Sequence, residues 1–341
     1  MTTDIGTLIE GFQKEYPETD LYCYFGSIRR PFDDYVIEEI RTRQKHKHML
    51  LFLTTTGGNP DAAYRISRCI QREYELEKES PGKKSRERTT REFYVFVDSL
   101  CVSAGTLLAL GATKLILSDF CELGPLDIQL RKPDEPHERD SGLTPTQALE
   151  SLERKSKSLF KAHFKQLRND PDLSLTTKTS VEIAAKITSG LMGHIYAQID
   201  PMRLGEVERL MGIAMGYGQR LAQFNLHETT LGTLLAGYPS HNFVIDRREA
   251  RELFKNIEKP KPMLEKLGEE LRSYAEDRVS ARTPVYVYLT PEAVASDTAR
   301  DDGGTVNDGQ KPGRGGKRSS TKSKGTGRSG EGGAGKPEST E

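Results

Sequence analysis

Short apolar runs alternate with amphipathic stretches along the first third of the chain. The runs are typical of buried strands, and the stretches between them have helical spacing. Strands are predicted at 21–26, 48–56, 92–99 and 114–119, and helices at 31–44, 60–75 and 104–112. Because such crossovers place helices on both faces of a parallel sheet, the pattern predicts an α/β fold with a largely parallel sheet and flanking helices.

After residue 145, the apolar residues recur mainly with the spacing of an α-helix. Helices are predicted at 145–170, 178–190, 204–224 and 247–257, with a short strand at 242–246. Charged segments broken by Pro or Gly predict loops at 75–92 and 131–145. We therefore divide the chain into an αβ core over 1–130, a helical part of the same domain over 131–295, and a tail over 296–341.

The tail is rich in Gly, Ser, Lys and Arg and nearly lacks large apolar residues. It cannot bury enough surface to offset the entropy lost on ordering, so it is predicted to be disordered. Its basic cluster, GRGGKRSSTKSKGTGR, could make weak contact with nucleic acid or with an acidic partner, although a solvated tail is favoured.

Composition excludes several classes of protein. The 341 residues carry 50 Lys and Arg against 50 Asp and Glu, so net charge favours neither a nucleic-acid scaffold nor a binder of anionic membranes. No segment reaches the ~20 apolar residues that span a bilayer, and the N-terminus does not have the pattern of a signal peptide. We expect a cytoplasmic protein without a membrane partner.

The four cysteines, Cys23, Cys69, Cys101 and Cys121, are widely spaced and form no CxxC pair. They predict buried, reduced thiols rather than disulfides or a zinc site. The chain has no GxGxxG turn after a strand and no Walker A motif, and no lysine in a setting typical of pyridoxal phosphate. We therefore expect neither a metal nor a cofactor.

Two turns carry candidate chemistry, and both follow predicted strands, where α/β proteins bind their ligands. In LFLTTTGGNPDAA, paired glycines at Gly57 and Gly58 can leave backbone amides pointing at a substrate. In VFVDSLCVSAGTLLAL, Ser103 lies at the start of a helix. Each feature alone has a simpler explanation, since Gly-Gly often makes only a tight turn and Ser is a common N-cap.

The motifs TTTGGNPDAA, VSAGTLLALGATKLILSD and ELGPLDIQL, in this order, resemble those of Clp-fold serine peptidases. The likeness is greatest to the serine dehydrogenase proteinase group, which is related to signal peptide peptidase A, and it extends to YPSHNFVID and RREARELF. It covers roughly residues 21–257. The resemblance implies a Clp/crotonase-like fold, a serine endopeptidase that cleaves peptides or unfolded protein segments, and a homo-oligomer.

The resemblance also implies roles for individual residues. Ser103 would be the nucleophile, and Gly57 and Ala104 would present backbone amides to the oxyanion. Gly58 and Asn59 would begin a ledge along which an extended peptide pairs as an added strand.

The identity of the general base stays open. Lys155 is favoured because helical spacing places it on the border of an apolar stripe, where burial could lower its pKa; Lys157 is the fallback. His241 is a rival that needs no large pKa shift to act near neutral pH. The possible orienting carboxylates are Asp127, Asp200 and Asp246.

Two other functional classes remain. A crotonase-type acyl-CoA enzyme uses the same fold and needs no serine at position 103, but no clear glutamate pair accompanies the two turns. A non-catalytic scaffold or interaction protein would need no base at all.

Overall fold

A six-stranded sheet lies at the centre of the computed structural model, which describes residues 5–79, 86–88, 90–126, 129–131, 139–141, 143–281 and 283–290. Its strand order is β11-β7-β5-β2-β1-β12, and every neighbouring pair is parallel except β1 with β12. The strands are β1 (Thr19–Phe25), β2 (His48–Thr54), β3 (Glu77–Glu79), β4 (Arg86–Arg88), β5 (Phe93–Val97), β6 (Leu100–Cys101), β7 (Lys114–Leu117), β8 (Glu122–Leu123), β9 (Gln129–Arg131), β10 (Arg139–Ser141), β11 (Ile257–Glu258) and β12 (Val285–Tyr288).

Helices cover both faces of this sheet. They are α1 (Ile5–Glu15), α2 (Phe32–Arg43), α3 (Pro60–Glu73), α4 (Ala104–Ala109), α5 (Leu143–Asn169), α6 (Thr177–Tyr196), α7 (Pro201–Leu221), α8 (Thr230–Gly232) with a π-helical turn at Thr233–Gly237, α9 (Arg247–Leu253) and α10 (Pro262–Val279). The described residues all fall within one compact unit, Met1–Ala299.

Alternation along the strands divides the core into two layers. On β1, Leu21, Cys23 and Phe25 pack in one cluster with residues of α1 and α10. Tyr22 and Tyr24, which point the other way, pack in a second cluster with residues of α2, α3, α4 and α7. Strands buried on both faces read as continuous apolar runs, which is why the four central strands were recognisable in the sequence.

A second, smaller ladder forms just beyond the carboxyl ends of β1, β2, β5 and β7. Ile28 pairs with Gly58, Thr55 pairs with Cys101, β6 pairs with β8, and Leu123 pairs with Ile245. The ladder keeps the order of the strands from which it extends. It therefore brings the segments that follow four strands side by side at one edge of the main sheet.

The α/β class and the largely parallel sheet expected from the sequence are confirmed. The strand expected at 242–246 is reduced to a single bridge at Ile245. Within the segment 75–92, which was expected to be a loop, β3 pairs with β4. In the expected loop 131–145, β10 forms and pairs with β9, which ends at Arg131. The tail from residue 296 lies outside the described residues. Across the described residues, no helix is both long and apolar enough to cross a membrane.

Candidate active site

Ser103 occupies a strained position between β6 and α4. Its backbone has φ 56° and ψ −119°, a left-handed conformation that is rare outside glycine. Such a residue costs on the order of 1–3 kcal/mol, and strain of this kind concentrates at functional sites. In α/β-hydrolases a similar strained strand-to-helix turn presents the nucleophilic serine. The Ser103 side chain makes no capping hydrogen bond to α4, so the simpler N-cap explanation does not hold.

The Gly57–Gly58 bend lies directly against Ser103. A Cβ atom added to Gly57 would be 2.8 Å from the Ser103 Cβ and 3.0 Å from the Ala104 backbone nitrogen. Gly57 and Gly58 have φ values of 93° and 137°, which side chains disfavour. The two bends, about 46 residues apart in sequence, therefore meet in space, and only glycine fits at their contact.

The backbone amides around this contact differ in what they bind. Gly57 N–H donates to Thr55 Oγ1 at 2.9 Å, so this amide is engaged inside its own turn. Gly58 N–H and Ala104 N–H donate to no group among the described residues. The carbonyl of Gly57 and the N–H of Asn59 both bond to Ile28, at 2.8 and 2.7 Å, which fixes the bend on its other side.

A cavity of about 610 Å³ opens over the two bends. Ser103, Ala104, Gly57 and Gly58 all line it. Most of its remaining surface is apolar, and α7 contributes one wall. The other lining residues are Ser27, Thr56, Pro60, Leu100, Val102, Leu107, Glu122, Leu126, Leu210, Ile213, Ala214, His241, Asn242, Phe243 and Val244.

His241 lines this cavity and lies in the loop between the π-helical turn and α9. The loop is held at two points. The rings of Tyr238 and Phe243 pack in a tilted arrangement with their centroids 4.8 Å apart. Ile245 exchanges two backbone hydrogen bonds with Leu123, at 2.8 and 3.0 Å. Since Leu123 belongs to the ladder that carries Ser103, the structure couples the imidazole loop to the serine turn.

Lys155 lies elsewhere. It is exposed on α5 and is not among the described residues that line the cavity. Lys157 is 72% exposed and pairs with Glu153 at 3.6 Å on the same helix. Neither side chain is therefore buried as the apolar stripe predicted. A catalytic role for either lysine stays a prediction.

The three possible orienting carboxylates divide as follows. Asp200 caps α7 by accepting from Met202 N–H at 2.9 Å. Asp246 caps α9 by accepting from Glu249 N–H at 2.8 Å. Each of these two carboxylates therefore has a structural role as a helix N-cap. Asp127 lies outside the described residues.

All four cysteines are buried and free. Burial raises the pKa of Cys101, two residues from Ser103, well above its usual range, and raises the pKa of Cys121 to about 11. Protonated thiols are poor nucleophiles, so neither competes with Ser103. The described residues also contain no cluster of three or more His, Cys, Asp or Glu suited to a metal ion.

Sequence reasoning missed three parts of this site. Thr55 was hidden in a run of three threonines, and its hydroxyl contacts only the neighbouring bend. Glu122 gave no signal beyond being the residue at which a strand breaks. Leu210, Ile213 and Ala214 on α7 have the spacing of a single apolar helix face, which could have suggested a wall but not which cavity it closes.

Comparison with known proteins gives little beyond this geometry. No family model matches the chain, and no curated protein does. Two solved structures of a 1510-N membrane-bound stomatin-specific protease are similar to it. One is a serine-to-alanine mutant, 16% identical, covering 48% of this chain and 74% of that chain, with a TM-score of 0.26. The other is a lysine-to-alanine mutant in complex with a substrate peptide, 17% identical, covering 48% and 71%, with a TM-score of 0.25. Both are named as proteases.

Proposed function

We propose that the protein is a serine peptidase that hydrolyses peptide bonds through an acyl-enzyme on Ser103. The observation that carries the proposal is the strained backbone of Ser103, held against the Gly57–Gly58 bend where both line a cavity. A cap or a tight turn does not require this strain. A nucleophile that must project from a turn beside two amide donors does.

His241 is the base that the geometry favours. It lines the same cavity as Ser103, and imidazole can accept a proton near neutral pH without a large pKa shift. In the first step His241 takes the Ser103 hydroxyl proton as the oxygen attacks the peptide carbonyl. It then gives that proton to the leaving amine, and a water molecule, activated in the same way, hydrolyses the ester.

The oxyanion of each tetrahedral intermediate needs nearby donors. Ala104 N–H, beside the nucleophile, is one, and Gly58 N–H, at the facing bend, is the other. Removing one such donor typically costs ~3 kcal/mol of transition-state stabilisation. The apolar cavity suits a peptide with large apolar side chains, and endopeptidase activity and a cytoplasmic location are the finer parts of this proposal.

A fluorophosphonate probe tests the proposal directly. We expect the wild type to be labelled and Ser103→Ala not to be. His241→Gln should slow labelling by about 10²-fold or more because general-base assistance is lost. Lys155→Gln is the matched comparison and should react at the wild-type rate. Labelling that survives in Ser103→Ala overturns the proposal, whereas slow labelling of Lys155→Gln with normal His241→Gln reverses the choice of base.

The same variants distinguish a peptidase from the two other functional classes, a crotonase-type enzyme and a non-catalytic protein. Turnover of an acyl-CoA thioester that is insensitive to Ser103→Ala indicates a crotonase-type enzyme, for which Glu122 would be the carboxylate in the cavity. No labelling and no turnover indicate a non-catalytic protein.

A further inference from the structure

Thr55 lies between the two bends of the proposed site and is fully buried. It immediately follows β2, and its backbone continues the pairing into the small ladder. Thr55 N–H donates to the Leu100 carbonyl at 2.8 Å, and its carbonyl accepts from Val102 N–H at 3.1 Å. The backbone of Thr55 is therefore fixed to the strand that leads into Ser103.

The side chain of Thr55 makes three contacts. Its hydroxyl donates to the Gly57 carbonyl at 3.4 Å, a long hydrogen bond. Its hydroxyl oxygen accepts from Gly57 N–H at 2.9 Å. Its methyl group faces Gly105 in the first turn of α4, where an added Cβ would lie 2.5 Å from Thr55 Cγ2. The hydroxyl thus holds the glycine bend, and the methyl packs against the helix that begins after Ser103.

The hydrogen bond selects one orientation of a bend that could adopt others. Two consecutive glycines impose little preference on the peptide planes around them. With the Gly57 N–H held by Thr55, that amide is directed into its own turn, and the next amide, Gly58 N–H, keeps no partner among the described residues.

We propose that Thr55 is a positioning residue of the hydrolase. Its hydroxyl orients the bend so that Gly58 and Ala104, rather than Gly57 and Ala104, form the pair of oxyanion donors. This inference rests on the proposed function, and it changes the donor that the sequence motifs imply.

Two substitutions separate the hydroxyl from the shape of Thr55. Thr55→Val keeps the branched shape and the contact with Gly105 but removes the acceptor. Thr55→Ser keeps the acceptor and loses the methyl group. If the hydroxyl positions the oxyanion donor, Thr55→Val should lower kcat for p-nitrophenyl butyrate by about 10- to 100-fold with little change in KM, because a small misplacement near the reacting atoms has effects of this size. Thr55→Ser should stay within about threefold of the wild type.

Thr113 provides the matched control. It is also fully buried, and its hydroxyl accepts from Phe93 N–H and donates to the Phe93 carbonyl, both at 3.0 Å. It precedes β7, at the amino end of the sheet and away from the cavity. Thr113→Val should therefore lower the urea midpoint about as much as Thr55→Val while leaving kcat unchanged. Equal losses of kcat in the two variants would mean that Thr55 acts only through stability, and this result would overturn the inference.

A Thr55→Val variant as active as the wild type, or more active, would also overturn the inference. Gly57 N–H would then be the oxyanion donor, and the Thr55 hydroxyl would compete with the oxyanion for it. Hydrogen exchange of the Gly57 amide decides the matter independently of activity. We expect exchange to be about tenfold faster in Thr55→Val than in Thr113→Val; equal rates would refute the positioning role. If wild-type Ser103 does not react at all, the proposed function fails, and the exchange measurement still tests whether Thr55 holds the bend.

Discussion

Ser103 has a backbone conformation that its side chain disfavours, and this gives a test at the scale of one residue. Ser103→Gly removes the Cβ that makes a φ of 56° costly. We expect it to raise the free energy of unfolding by about 1 kcal/mol while abolishing probe labelling. Urea denaturation followed by circular dichroism measures the change.

Ser103→Ala is the control for this prediction, because it removes the hydroxyl and keeps the Cβ. It should also be unlabelled but should gain no stability. If both variants have the same stability, the strain at Ser103 is too small to measure, and the strongest support for a functional turn is lost.

Glu122 gives a second prediction at this scale. It is exposed and, of the described residues lining the cavity, the single carboxylate; neither lysine nor arginine is among them. A substrate with a positive charge near the scissile bond should therefore be favoured. Glu122→Gln should lower kcat/KM for a lysine-containing peptide about threefold, a typical effect for an exposed ion pair. The same peptide with norleucine in place of lysine should be unaffected; an equal loss for both would show that the charge of Glu122 does not select substrates.

Residues that end parallel strands were the easiest to predict. Gly57, Ser103 and their neighbours follow β2 and β5, and the carboxyl ends of parallel strands meet at one edge. Lys155 could not be placed in the same way. A helical stripe gives the face of α5 that packs but not what it packs against, and the structure leaves Lys155 in solvent.

At the scale of elements, β12 shows what sequence patterns leave out. It pairs antiparallel with β1, with Tyr288 opposite Tyr22, although about 260 residues separate them. α1 and α10 likewise cover the same sheet face from opposite ends of the described chain. Local periodicity carries no information on which distant element completes a sheet edge or covers a face, and none of these three was predicted.

The attachment of β12 depends on a buried carboxylate. Asp20 on β1 accepts from Tyr288 Oη at 2.7 Å, from Tyr74 Oη at 2.8 Å and from His46. Burial alone would raise the pKa of Asp20, but these hydrogen bonds, that of Tyr288 foremost, outweigh burial and hold the pKa below its usual value. A lowered carboxylate pKa contributes stability that is present above the unfolded-state pKa of about 3.9 and is lost as pH falls through the folded-state pKa.

Tyr288→Phe should weaken this effect. Removing one hydrogen bond moves the pKa of Asp20 toward its usual value, so acid unfolding should begin at a higher pH than in the wild type. At pH 7 the variant should lose about 1 kcal/mol of unfolding free energy. Fluorescence-monitored unfolding between pH 2 and 7 provides the measurement.

Tyr286→Phe is the control on the same strand. The Tyr286 hydroxyl is buried with no hydrogen-bond partner in the described part of the chain. Removing it should therefore not change the pH at which acid unfolding begins. If the two variants unfold at the same pH, Asp20 does not anchor β12 as described.

At the scale of the whole molecule, the sequence predicts that residues 296–341 contribute nothing to the folded unit. Deleting them should leave the rate of probe labelling and the unfolding free energy unchanged within about 0.5 kcal/mol. If the basic cluster binds nucleic acid, the chain that keeps residues 296–341 should slow the migration of a labelled oligonucleotide in a gel, and the deletion variant should not. Salt should weaken this binding. A loss of labelling on deletion would contradict the prediction. The homo-oligomer implied by the sequence resemblance stays a prediction for light scattering.

The burial of all four cysteines has a practical consequence. Alkylating reagents such as iodoacetamide attack thiolates, and in the folded protein these thiols are shielded from solvent and their pKa values are raised. Their rate of alkylation should therefore be limited by opening of the folded protein and should report the rate of unfolding. Met202 is 82% exposed. In the folded Met202→Cys variant, a maleimide dye should react with the new cysteine and not with the four buried ones.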